Sequence, residues 1–198
     1  VRVGIDRVRA VREAVGLDVD LMVDCHSRFS PGLAVQTARE LDDLRLCWLE
    51  DPVPVTDIDG LRHVYEHTSM PIATGETVRT LAGFHRLLRA RVTDYILPDV
   101  KHVGGILALK KIAAMAEAAN VLVAPHNPSG PVATAASVQC MATVPNFAIL
   151  EYAWGEAPWR ASLTTPEERI DGGLLGVPSS PGLGVELSSG ATTRAASA

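Results

Sequence analysis

The chain has 198 residues, 47% of them apolar and 21% charged, with a formal net charge of −5. That length suffices for one domain with a full core. The acidic balance excludes the basic surface that nucleic acid or an anionic membrane would require, and the most apolar stretch, residues 131–150, is too interrupted by Gln139, Pro145 and Asn146 to span a bilayer.

Three cysteines (Cys25, Cys47 and Cys140) with no CxxC pairing favour a reducing compartment over a disulfide framework. No signal peptide is visible at the N-terminus, so a cytoplasmic location is expected. The first residue is Val1, not Met, and the chain opens inside a helical pattern, which reads as a fragment.

In chain order, residues 5–16 read as a helix with Val11, Ala14 and Val15 on one face. A strand over 20–25 follows, on which alternation points Cys25 away from Asp24 and His26 and under the outer helices. Ser30-Pro31 then opens a helix, Ser as N-cap and Pro at the first helical position, with Ala34, Ala38 and Leu41 as its stripe. The next strands are expected at 46–49, 71–74, 95–97, 121–124 and 147–150. Between them run helices marked by Ile58, Leu61 and Tyr65; by Leu81, Phe84 and Leu88; by Ile106, Leu109, Ala113 and Ala116; and by the small residues of 131–142. Continuous apolar runs indicate parallel strands covered on both sides. After Trp154 the rhythm stops: 163–187 is an irregular wrap ending in a short strand at 184–187, and the low-complexity tail 188–198 is expected to be disordered.

Asp24, Glu50, Glu76, Asp99, His126 and Glu151 fall at intervals of 26, 26, 23, 27 and 25 residues, each at the end of an apolar run. A βα unit of a parallel barrel takes about 25–30 residues, and such barrels collect their chemistry at the C-terminal ends of the strands. Three carboxylates in register would repel one another unless a hard divalent cation joined them; taken singly, each could instead cap the helix that follows. Asp99 is placed to hold His126 in one tautomer and raise its basicity, as a proton-abstracting base requires. His26, two residues past Asp24, is expected on the same face of the strand. His63, His67, His85 and His102 read as surface or hydrogen-bonded histidines and Lys101 as a solvated loop cation, while Arg28 is placed either to bind a distal substrate hydroxyl or carboxylate or to be solvated on its loop.

The segments VDCHSRFSP, WLEDPVP, IATGE, ILPDVKHVGG, VAPHNPSGP and LEYAWGE stand in the order seen in the enolase superfamily, mandelate racemase subgroup. Over residues 5–187 the chain resembles the acid-sugar dehydratases of that subgroup, those acting on galactonate and related gluconate or mannonate. The resemblance implies an α/β fold, the (β/α)8 barrel of the superfamily, incomplete here. Some six βα units (strands three to eight) would occupy 1–162, and 163–187 would pack back toward a capping domain that is absent. It implies Mg2+ held by Asp24, Glu50 and Glu76, His126 with Asp99 as general base, His26 as general acid, and Glu151 hydrogen-bonding the enediolate. The substrate would be a small sugar acid that loses water to give a 2-keto-3-deoxy acid, and the full-length enzyme would be a homo-oligomer. A racemase, epimerase or cycloisomerase of the same superfamily stays open, as does an inactive remnant. A piece lacking strands one and two is expected to have little activity alone.

Overall fold

The computed structural model describes residues 1–191. Its centre is a parallel sheet of five short strands in sequential order: β1 (Val23–Asp24), β2 (Leu49–Glu50), β3 (Ile72–Thr74), β4 (Tyr95–Ile96) and β5 (Leu122–Val123). The helices α1 (Arg2–Val15), α2 (Pro31–Leu41), α3 (Ile58–Glu66), α4 (Leu81–Ala90), α5 (Ile106–Ala118) and α6 (Pro131–Met141) alternate with them. This is the α/β architecture of a partial parallel barrel. Three helices start on side-chain caps: Ser30 accepts from the Leu33 N–H at 3.4 Å, Asp57 from Gly60 at 2.9 Å and Thr80 from Gly83 at 3.0 Å.

Period-2 alternation divides the sheet into two faces. Leu49, Ile72, Ile96 and Val123 lie in the main core with Leu61, Phe84, Leu109 and Ile112 of the helices. Cys25 joins this core, as expected, and its burial there pushes the thiol up to about 12. On the opposite face Trp48, Ala73, Leu97 and Ala124 form a second cluster, with Met22 and Tyr95 against it. Two residues further along those strands come Asp24, Glu50, Asp99 and His126, so alternation carries four of the six spaced polar residues onto the concave side. Glu76 needs a different device, because strict alternation from Ala73 would send it outward. Gly75, at φ +121°, breaks the alternation just before it, and a Cβ there would lie 3.1 Å from Phe84 Cε1.

Four details differ from expectation. The inward face of α1 carries Ile5 and Arg12, while Val11 and Val15 are exposed. Arg12 turns that face inward, since its guanidinium donates to the carbonyls of Leu44, Gly16, Val19 and Arg45 at 2.7–3.2 Å. The expected sixth strand at 147–150 is reduced to one parallel bridge, Val123 to Phe147; backbone bonds run alongside β5, but Phe147 and Ile149 stay exposed at this edge. The wrap after Trp154 contains two antiparallel pairs. One joins β6 (Thr164–Thr165) to β9 (Glu186–Leu187), so the short strand expected at 184–187 is present, and the other joins β7 (Ile170–Asp171) to β8 (Leu174–Leu175). Of the tail expected to be disordered, residues 188–191 are bonded into the fold: Ser188 N–H donates to Leu163 at 2.9 Å and its hydroxyl to Ser162 at 2.7 Å. Residues 192–198 of that tail lie outside the described residues.

No helix among the described residues is long and apolar enough to cross a membrane. Through this wrap runs a buried ionic clamp. Arg160 pairs with Glu168 at 2.7 Å, donates to the Thr134 hydroxyl at 2.7 Å and to the Ser129 carbonyl, and lies 4.4 Å over the Tyr152 ring. It ties the loop after β5, the loop after Glu151 and the wrap into one unit.

Candidate active site

The ladder register aligns the first two carboxylates, since Asp24 faces Glu50 across β1 and β2. β1 then ends at Asp24. His26 therefore does not share a strand face with it, as the sequence reading had it, but sits in a left-handed turn (φ 48°, with Ser27 at φ 57°). This turn folds His26 back on Asp24: its N–H donates to Oδ1 at 2.8 Å, and its Nε2 lies 2.7 Å from Oδ2.

Asp24, His26 and Glu76 each offer one ligand atom, all within 4.8 Å of one another. Glu50 stands apart from that trio, its Oε2 accepting from the Trp48 indole at 2.9 Å. Burial, with the Trp48 bond opposing it and the charges of Asp24, Asp51 and Glu151 assisting, pushes the Glu50 carboxyl up to about 7. Beneath the site lies Asp51, which is 1% exposed and accepts from the Thr74 hydroxyl and, at 3.3 Å, from the Gly75 N–H. Burial raises it to about 6, against the Thr74 bond and with help from Glu76.

Asp99 and His126 meet as their spacing suggests. His126 Nδ1 lies 2.8 Å from Asp99 Oδ2. A carboxylate only accepts, so Nδ1 donates to Asp99, while Nε2 faces the rim 3.3 Å from Glu76 Oε2. The Asp99 side chain is 1% exposed. Burial acts to raise its pKa, yet the bonds from His126 and the Lys101 N–H outweigh that and hold the carboxyl below its usual value. Lys101, read from sequence as solvated, brings its Nζ within 3.5 Å of Asp99.

Glu151 reaches the same rim from beyond the bridge. Its Oε2 accepts the Asn127 N–H at 2.7 Å, while the Asn127 side chain donates to the Glu151 carbonyl at 3.0 Å. The residue after the imidazole thus holds the last carboxylate beside it. Arg28 is exposed and makes no side-chain bond among the described residues.

Two residues here, Asp51 and Asn127, carry no signal in the spacing, and a third, His102, reads from sequence only as a surface or hydrogen-bonded histidine. Asp51 and Asn127 each directly follow a spaced polar residue, in LEDP and PHNP, a position that strand alternation assigns to the opposite face. His102 lies one turn past Asp99, which brings it back to the same carboxylate, with Asp99, His102 and His126 all within 4.8 Å of one another through one ligand atom each.

Comparisons with known proteins show what the chain resembles in sequence and fold. Residues 1–191 fit the family described as enolase C-terminal domain-like. The chain is 40% identical over 183 residues to D-xylonate dehydratase of Haloferax volcanii, covering 92% of this chain and 44% of that one. A D-galactonate dehydratase family member of Streptomyces bingchenggensis is likewise 40% identical, over 180 residues, 90% of this chain and 44% of the relative. The crystal structure of a racemase from Streptomyces coelicolor with bound magnesium superposes with a TM-score of 0.86 at 30% identity, over 98% of this chain and 50% of that one. The chain thus spans about half the length of the relatives it matches. With its sheet order, its rim of acidic groups and its Asp–His pair, this chain belongs to the enolase C-terminal domain-like family.

Proposed function

We propose that this chain carries the metal-binding and proton-abstracting half of an acid-sugar dehydratase acting on an aldonate. The observation that carries the reading is the pairing of Asp99 with His126 Nδ1 at 2.8 Å, which leaves Nε2 facing the acidic rim 3.3 Å from Glu76. The dehydratase relatives support the reaction class, and the racemase neighbour solved with magnesium supports the cation.

The donor set suits Mg2+. Asp24, Glu50 and Glu76 offer only carboxylate oxygens, and the upward push on Glu50 from burial and neighbouring charge is what a bound cation would relieve. When bound, the cation supplies positive charge against the substrate carboxylate and so makes the α-hydrogen more acidic. His126 takes that proton at Nε2, and Asp99 steadies the imidazolium that results. Glu151, fixed by the Asn127 N–H, would stabilise the oxygen that gains charge by donating to it from its carboxylic acid form, since a carboxylate can only accept. His26, the more exposed imidazole, gives a proton to the departing 3-hydroxyl. Loss of water leaves an enol that becomes the 2-keto-3-deoxy acid.

This division of labour predicts a separable defect. His26→Asn, in the protein expressed from the complete gene and supplied with Mg2+ and an aldonate panel, is expected to lose elimination by about 10²- to 10⁴-fold. Exchange of the α-hydrogen with solvent should survive. Loss of both together would place His26 in an earlier step. The racemase neighbour favours a second reading, in which the two imidazoles exchange protons at one carbon; a wild-type protein that exchanges the α-hydrogen but dehydrates no aldonate would establish it.

A further inference from the structure

His102 has no place in the chemistry above, yet it touches three parts of the site. It lies in the turn after β4, its N–H donating to the Asp99 carbonyl at 3.0 Å. Its ring is 5.8 Å from that of His126, and its Nδ1 is 4.0 Å from Asp99 Oδ2. The same Nδ1 lies 3.2 Å from the carbonyl oxygen of Glu76. A carbonyl can only accept, so Nδ1 carries the proton and donates it.

That bond spans a gap in the sheet. The pairing of β3 with β4 ends at Thr74 and Ile96, with Leu97 N–H reaching the Thr74 carbonyl at 3.1 Å. Gly75 then turns the chain out of the ladder, and among the described residues no backbone N–H reaches the Glu76 carbonyl. Without the His102 bond, the segment that carries the Glu76 carboxylate is held by two bonds at Gly75, its N–H to Asp51 at 3.3 Å and its carbonyl to the Val78 N–H at 3.0 Å, and by none at the Glu76 peptide oxygen. His102 replaces the missing cross-strand bond with a side chain rooted beside Asp99.

We propose that His102 is a positioning residue, which fixes the Glu76 carboxylate relative to the Asp99–His126 pair by tying its peptide to the β4 end. The idea rests on the dehydratase reading for the roles of Glu76 and His126, but its contact is independent of substrate. Groups that orient metal ligands change metal affinity or activity by about 10- to 100-fold when removed. His102 is partly exposed, with 29% of its side chain accessible, so its replacement leaves the core intact.

The test uses His102→Phe, which keeps a ring and removes the donor, and His102→Asn, whose amide nitrogen falls near the position of Nδ1. In the protein from the complete gene, Mn2+ binding is measured by electron paramagnetic resonance, with no substrate present, and kcat and KM are measured on an aldonate. His102→Phe is expected to weaken Mn2+ binding about 10-fold or more and to lower kcat more than it raises KM. His102→Asn should restore both to near wild type. Unchanged Mn2+ affinity in His102→Phe would overturn the proposal. So would a failure of His102→Asn to rescue, since the imidazole would then matter for more than its donor. A wild-type protein that binds Mn2+ without dehydrating any aldonate sinks the dehydratase reading alone, and the Mn2+ ratio between variants still decides the role of His102.

Discussion

Replacing His126 with asparagine, in the protein expressed from the complete gene, is expected to lower kcat for aldonate dehydration by about 10²- to 10⁴-fold, the usual contribution of a positioned base. Because His126 removes the first proton in this account, α-hydrogen exchange should fall by the same factor. The double loss distinguishes it from His26, whose replacement should spare exchange. Asparagine can still donate to Asp99, so the buried carboxylate keeps a partner and the variant should fold. KM should change little, since the lost interaction belongs to the transition state and not to ground-state binding. Retention of kcat within tenfold, as measured by steady-state turnover, would mean that another group takes the proton.

The second large effect concerns stability. Arg160→Met removes the cation from a clamp in which the side chains of Arg160 and Glu168 are only 10% and 7% exposed. Methionine fills much of the volume, but Glu168 is left buried with its charge opposed, among the described residues, by the Tyr152 hydroxyl alone, 2.6 Å away. Breaking one side of a buried pair costs about 3–5 kcal/mol. Urea unfolding should show that loss as a lower midpoint with an unchanged slope. The double variant Arg160→Met with Glu168→Leu should recover much of it, because no charge is then stranded. A single variant that loses less than about 1 kcal/mol would place the clamp in the weak class of exposed ion pairs.

The spacing of polar residues was legible because parallel strands of similar length end at one rim, and alternation sets Asp24, Glu50, Asp99 and His126 two residues beyond the concave cluster. The Ser30 cap was equally plain, since its chemistry is local. What stayed hidden depends on backbone that leaves the regular pattern. His26 reaches Asp24 through two consecutive left-handed residues, which no periodicity encodes. Glu76 owes its place to the torsion at Gly75, and its carbonyl owes its partner to His102 across a chain separation that no motif records. Arg12 misled for the opposite reason. A charged residue reads as the outer face of a helix, but here unpaired carbonyls of the following loops draw it inward. The edge run 147–150 was read as a full strand from its apolar residues, whereas its single bridge to β5 leaves Phe147 and Ile149 in solvent.

The proposed function makes one chemical claim: the rim abstracts an α-hydrogen with the help of a cation and then expels the 3-hydroxyl. Proton NMR of an aldonate panel in D2O, with Mg2+ and again after its removal by EDTA, tests it most directly. The account predicts a 2-keto-3-deoxy acid carrying solvent deuterium at C3, formed with Mg2+ and not after chelation. Deuterium at C2 of unchanged or inverted aldonate, with no keto acid formed, would contradict it.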